Sequence, residues 1–364
     1  MTSGTGGTPG TVRPNRVPVS VITGFLGSGK TTLLNRLVRD PRMADTALIV
    51  NEFGEIGIDH ELVDSSFENT VLMDSGCICC SIRGDLVDTI DDLFANAANG
   101  RIPAFSRVLI ETTGLADPVP IVHALQTSET VGARCAVGTI VATLDAEQGG
   151  SQLAEHEQVE HQIALADVVV LTKTDIAPEA AARRLERVVE TLNPGVPVHR
   201  AVHGAIDPDL LFAGPLGAAG REARLRHGHD DAHEDHRHGH DHHDHAHEEG
   251  HAGHDHGFSH AGIASRSVIV DGPIAYERLR EFLETLISLR GDRFLRIKGI
   301  LDLEGEDRPV VLQGVGASFG RPYRLAAWPP AGRGSRIVFI YKDLDGDGLE
   351  AAFRRMVLGQ PAGQ

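Results

Sequence analysis

Aromatic residues are scarce in this chain, only 4% of its 364 residues, so its cores must be packed mainly by Leu, Val, Ile and Ala. No apolar stretch approaches the roughly 20 residues that a membrane-spanning helix needs, and no membrane partner is expected. Basic side chains are also few, 34 Lys and Arg against 51 Asp and Glu, and the formal charge of −17 argues against a nucleic-acid partner. Only four cysteines occur. With no export signal ahead of them they point to a reducing compartment, where thiols serve metals or chemistry rather than disulfides, and the chain is expected in the cytoplasm. The first 16 residues are mostly Gly, Thr, Pro and Ser with two arginines and read as a disordered tail.

The length favours more than one core. Between residues 17 and 216, apolar β-branched runs (Val17–Ile22, Ala47–Asn51, Thr70–Met73, Arg107–Glu111, Gly138–Leu144, Val168–Thr172, Val196–Ala201) alternate with amphipathic stretches such as Leu86–Ala98, Pro118–Gln126 and Pro178–Leu192. That alternation predicts an α/β domain built on a parallel-rich sheet. Residues 266–360 carry strand patterns at Arg266–Val270, Phe294–Ile300, Val310–Gly314, Tyr323–Trp328 and Arg336–Tyr341, and helical ones at Ile274–Leu289 and Leu349–Met356. They predict a small C-terminal α+β domain. The intervening linker, residues 217–265, is of another kind. From His227 to His260 fourteen of 34 residues are histidine, and nine acids against one arginine leave the stretch at −8. It has little to bury and is expected to be disordered without a ligand.

Residues Gly24 to Thr31 read G-F-L-G-S-G-K-T, a Walker A loop between a strand pattern and a helical one. Gly24, Gly27 and Gly29, with Ser28 between the last two, let backbone amides crowd around a polyphosphate, and the new helix turns its positive end to the same charge. Lys30 supplies a mobile cation to the outer phosphates, and the Thr31 hydroxyl is placed to ligate Mg2+. The run V-L-I-E-T-T-G, Val108–Gly114, supplies the Walker B acid as Glu111, with Gly114 permitting close approach to the γ-phosphate. In T-K-T-D, Thr172–Asp175, Asp175 can accept two hydrogen bonds from the guanine edge, which adenine cannot offer, and the Lys173 stem can lie over the base. The usual guanine motif has Asn where this chain has Thr172.

Gly76-Cys77-Ile78-Cys79-Cys80 places three thiols within four residues, enough to converge on one Zn2+ with a position left for another ligand. Buried packing thiols, or a vicinal disulfide between Cys79 and Cys80, are the alternatives. Glu52, Glu55 and His60, from the nearby N-E-F-G-E-I-G-I-D-H, are candidate fourth ligands. The two glutamates could equally serve Mg2+ or be solvated loop acids. Cys135, alone in an apolar stretch, reads as a packing residue. The histidine tract suits capture or buffering of Zn2+, Ni2+, Co2+ or Cu2+, with an adventitiously binding linker as the alternative. Asp343, Asp345, Asp347 and Gly348 mimic half of an EF-hand loop, but Arg354 stands where the bidentate Glu is required, so a turn opening the last helix is expected.

Taken in order, G-F-L-G-S-G-K-T-T-L-L-N, N-E-F-G-E-I-G-I-D, G-C-I-C-C-S, E-T-T-G-L-A-D-P and L-T-K-T-D resemble the CobW-like P-loop GTPases, proposed metallochaperones. R-I-K-G and S-R-I-V-F-I look like the C-terminal domain of that family, and the resemblance runs from about Val17 to Gly359 outside the histidine tract. It implies that Gly27, Gly29, Lys30, Thr31 and Thr32 hold phosphates and Mg2+, that Cys77, Cys79 and Cys80 hold the transferred metal, and that Lys173 and Asp175 read guanine. Thr172 looks like an accepted variant of the base motif in this family.

The expected function is that of a GTPase binding GTP, Mg2+ and Zn2+, with Co2+ or Ni2+ as alternative cargo, and delivering the metal to a client metalloprotein. GTP is expected to order residues 51–60 and draw the thiols together, and hydrolysis to loosen them. No arginine finger lies beside the motifs, so turnover is expected to be slow without a client. Three rivals stand beside it: a storage protein working through the histidine tract, cobalt handling for cobalamin assembly, and a small-molecule kinase. No feature of the sequence specifies an oligomeric state.

Overall fold

The structure is a computed structural model that describes residues 16–50, 70–72, 78–81, 85–211, 262–320, 322–329 and 332–360. Among the described residues the first sheet has eight strands: β1 (Val17–Gly24), β2 (Thr46–Val50), β3 (Thr70–Leu72), β4 (Ile78–Ser81), β5 (Arg107–Glu111), β6 (Cys135–Asp145), β7 (Val168–Thr172) and β8 (Val198–Arg200). Their spatial order is β3-β4-β2-β5-β1-β6-β7-β8. Every neighbouring pair is parallel except β3–β4. The central strands are buried along nearly their whole length, as expected of a sheet covered on both faces.

Helix α1 (Lys30–Leu37) covers one face, where Leu33, Leu34 and Leu37 pack on Ile22, Val50 and Leu109. The other face carries α2 (Leu86–Ala98), α3 (Val119–Thr127), α4 (Glu129–Arg134), α5 (Gly149–Glu155), α6 (Glu157–Leu165) and α7 (Glu179–Leu192). Asp85 and Ser128 cap α2 and α4 by accepting from the backbone amides of Val87 and Val131, offsetting amides that a helix start leaves unbonded.

The second sheet is antiparallel. It comprises β9 (Ile263–Val270), β10 (Phe294–Leu301), β11 (Val310–Val315), β12 (Ser318–Phe319), β13 (Tyr323–Arg324) and β14 (Ser335–Lys342), ordered β12-β11-β10-β14-β9 with β13 on β11. Helices α8 (Tyr276–Arg290) and α9 (Gly346–Leu358) bury Leu279, Phe282 and Phe353 against Ile297 and Phe339 on one face. From the other side Leu295, Val315, Val338 and Ile340 join the core formed by α5, α6 and α7. The parallel-rich α/β unit and the small α+β unit are those the patterning predicts. Tyr323–Trp328 is shorter than its pattern, pairing only at Tyr323–Arg324.

The EF-hand mimic is occupied by protein contacts. Asp343 pairs with Arg293, Asp347 with Arg266, and Asp345 caps α9. Cys135 opens β6 with 1% of its surface exposed. Among the described residues no helix is long and apolar enough to cross a membrane.

Candidate nucleotide and metal site

β1 sits between β5 and β6, so the Walker A strand and the Walker B strand are direct neighbours. Register places Ile22 level with Glu111, and the Thr112 amide donates to the Ile22 carbonyl at 2.9 Å. The carboxyl ends of both strands therefore meet at the sheet edge where α1 begins. Gly24 leaves β1 with φ 144°, and a Cβ there would overlap the hydroxyl and carbonyl of Thr143 on β6. Only glycine fits. Gly27 and Gly29 are also left-handed, at 73° and 89°.

The loop is held from outside. The Ser28 and Thr143 hydroxyls lie 2.6 Å apart, and the Thr172 hydroxyl donates to the Ser28 carbonyl at 2.8 Å. Lys30 is buried, its ammonium donating to the carbonyls of Gly24 (2.9 Å) and Phe25 (3.2 Å). Thr31 donates to Glu111 Oε1 at 3.1 Å. This hydroxyl and this buried carboxylate are hard oxygen donors from the two Walker segments, a set that suits Mg2+. Thr32 is exposed on the first turn of α1. Gly114 approaches the loop rather than standing apart from it: a Cβ there would lie 2.7 Å from the Leu26 nitrogen.

The base motif follows β7. Thr172 is a strut to the phosphate loop, and Lys173 turns the chain at φ 55° while its ammonium meets the Asp145 carboxylate at 2.6 Å. Asp175 is partly exposed, with His203 Nε2 3.9 Å from its Oδ2. The Gly24–Thr31 loop, Glu111 and the Thr172–Asp175 segment thus share one edge of the sheet, the edge where ligands bind in open α/β folds.

Of the metal candidates, Cys79 and Cys80 lie on β4, whose backbone pairs with β3 and β2. Val50 of β2 is level with Ser81 on one side and with Glu111 on the other. The cysteine strand is therefore two strand spacings, roughly 10 Å, from the Walker B strand. Cys77, Glu52, Glu55, His60 and the histidine tract fall outside the described residues.

Several contributors gave no sign in the sequence. Asp145 and Thr143 acquire their roles through the register of β6 beside β1 and β7. Gln162 on α6 donates to the carbonyls of Gly114 and Ala116, each at 3.2 Å, fixing the turn after the Walker B strand. Gly204, at φ 71°, lies against α1, where a Cβ would be 2.7 Å from the Thr32 carbonyl.

A model of the CobW/HypB/UreG nucleotide-binding domain matches residues 18–200, and the cobalamin synthesis protein cobW C-terminal domain matches 263–357. The chain belongs to the CobW/HypB/UreG family. It is 31% identical to the zinc chaperone YjiA of Escherichia coli over 93% of its own length and 98% of the relative's. To the zinc chaperone CobW of Pseudomonas aeruginosa it is 33% identical, over 91% and 88%. The crystal structure of the Zn(II)-bound YjiA GTPase superimposes with a TM-score of 0.71 at 30% identity, covering 94% of this chain and 99% of that one. The family's two-part architecture thus extends over nearly all of this chain.

Proposed function

We propose that this protein is a GTP-hydrolysing metallochaperone that holds zinc at Cys77, Cys79 and Cys80 and passes it to a client metalloprotein in the cytoplasm. The observation that carries the reading is the position of β4. The cysteine strand belongs to the same sheet as the Walker strands, with only β2 between it and β5. A change at the γ-phosphate edge can reach the metal strand through one shared neighbour. The named activities of YjiA and CobW support zinc as cargo ahead of cobalt.

In this reading Lys30 and the loop amides bind the β- and γ-phosphates, and Asp175 accepts from the guanine edge. Thr31 and Glu111 would hold Mg2+, which when bound neutralises charge on the phosphates. Glu111, buried beside Thr31, also orients the attacking water, and attack yields GDP and phosphate. The second domain, packed on α5–α7, offers the client a surface distinct from the nucleotide edge.

The test is phosphate release from GTP and from ATP. The proposal expects GTP to be strongly preferred and Lys30→Ala to abolish turnover. Equal use of ATP, or phosphate transfer to an acceptor other than water, would refute it.

A further inference from the structure

Asp145 ends β6 with its side chain 1% exposed. One carboxylate oxygen accepts from the amides of Glu147 (2.8 Å) and Gln148 (3.1 Å). The other accepts from the Lys173 ammonium at 2.6 Å. Lys173 is meanwhile fixed at its backbone: φ is 55°, and its carbonyl accepts from the amides of Ile176 (3.2 Å) and Ala177 (3.1 Å). Both ends of the side chain are held, while 37% of it remains exposed. A lysine on a loop otherwise ranges over many rotamers, and ordering it on binding costs affinity. The buried acid removes that freedom beforehand.

We propose that Asp145 is a positioning residue for the nucleotide base. It anchors the Lys173 ammonium so that the lysine's hydrocarbon stem forms a fixed apolar platform under the purine ring. This rests on the reading of Lys173 and Asp175 as the base site. The two acids divide the work: Asp175 acts at the ring edge and tells guanine from other purines, whereas Asp145 acts through the ring face, which guanine and hypoxanthine share. Asp145 therefore contributes equally to guanosine and inosine nucleotides.

The experiment measures affinities for fluorescently labelled GDP and IDP on the full chain. The variants are Asp145→Asn, Lys173→Met, both together, and Asp175→Ala. Asparagine keeps an acceptor for the Glu147 and Gln148 amides but lacks the charge, and methionine keeps a stem without the ammonium. Asp145→Asn should weaken GDP and IDP alike, by about tenfold, and the double variant should be no weaker than Lys173→Met alone. A purely structural role for the 145–148 turn gives a different result: the Asp145→Asn loss persists undiminished on the Lys173→Met background, which overturns the proposal. Unchanged GDP affinity in Asp145→Asn also overturns it. Should that variant not fold, Lys173→Met carries the test, and wild-type affinity there is contradictory. Asp175→Ala should erase the preference for GDP over IDP; if the preference survives, the base-site reading fails irrespective of Asp145.

Discussion

Cys135 and Glu111 are each 1% exposed, and their surroundings give them opposite uses. Burial pushes the Cys135 thiol up to about 11, so at neutral pH it is a small apolar packing group. Native protein at pH 8 should leave Cys135 unmodified by iodoacetamide, whereas denatured protein should be alkylated there; mass spectrometry of the peptide decides. The unfolded thiol titrates near 9 and the folded one near 11, so the unfolded chain alone loses the proton between those values. Stability from this group is full below about pH 9 and falls as pH rises toward 11. Glu111 is buried beside a hydroxyl instead, in a position to serve chemistry. Glu111→Gln keeps the shape and removes the charge, and should lower GTP turnover about 10²-fold or more while nucleotide binding survives; single-turnover phosphate release against GDP affinity separates the two. Glu111 stands out in the sequence as a Walker B candidate because it ends an apolar strand run, and the structure sets it beside Thr31. Asp145 does not, because its meaning comes from Lys173, 28 residues away in sequence and adjacent only after β6 and β7 pair.

At the scale of elements, the long strands and the amphipathic helices α2 and α7 announce themselves by period. α5 and α6 do not. α5 begins Gly149-Gly150 and α6 is rich in Glu, Gln and His, so neither has a strong apolar stripe, and tertiary packing rather than propensity makes them helical. β4 escaped for a different reason: four residues are too few for an alternation pattern, and cysteine is a weak strand signal. The end of α6 depends on Asn193, whose Nδ2 lies within 2.8–3.2 Å of the carbonyls of Ile163, Ala164 and Ala166. Asn193→Ala would leave buried carbonyls without that donor and should cost about 1–3 kcal/mol, read as a lower urea midpoint.

Across the whole molecule, the two sheets are joined by ions as well as by apolar packing. Asp167, fully buried between α6 and β7, meets Arg296 at 2.7 Å and Lys298 at 3.1 Å, and accepts from the Ile140 amide at 3.0 Å. The R-I-K-G string, readable in sequence only as a resemblance, thus acquires a physical purpose: both of its cations reach into the first unit. Breaking such a cluster from one side leaves buried charge uncompensated. Asp167→Asn should therefore destabilise the protein by about 3–5 kcal/mol, measured by urea unfolding, while an exposed pair such as Arg280–Glu284 should be nearly silent when removed.

Coupling of nucleotide state to metal affinity, through the sheet that β4 and β5 share, is the step on which the proposed function rests. Its most direct test is Zn2+ affinity by chelator competition on the full chain, with a non-hydrolysable GTP analogue and Mg2+ against GDP, in wild type and Cys79→Ser. With the analogue, one zinc should be held about tenfold more tightly, a differential of the size typical of coupled sites, and Cys79→Ser should abolish the difference. Equal zinc affinity in the two nucleotide states would contradict it, because a ligand without differential affinity shifts no equilibrium.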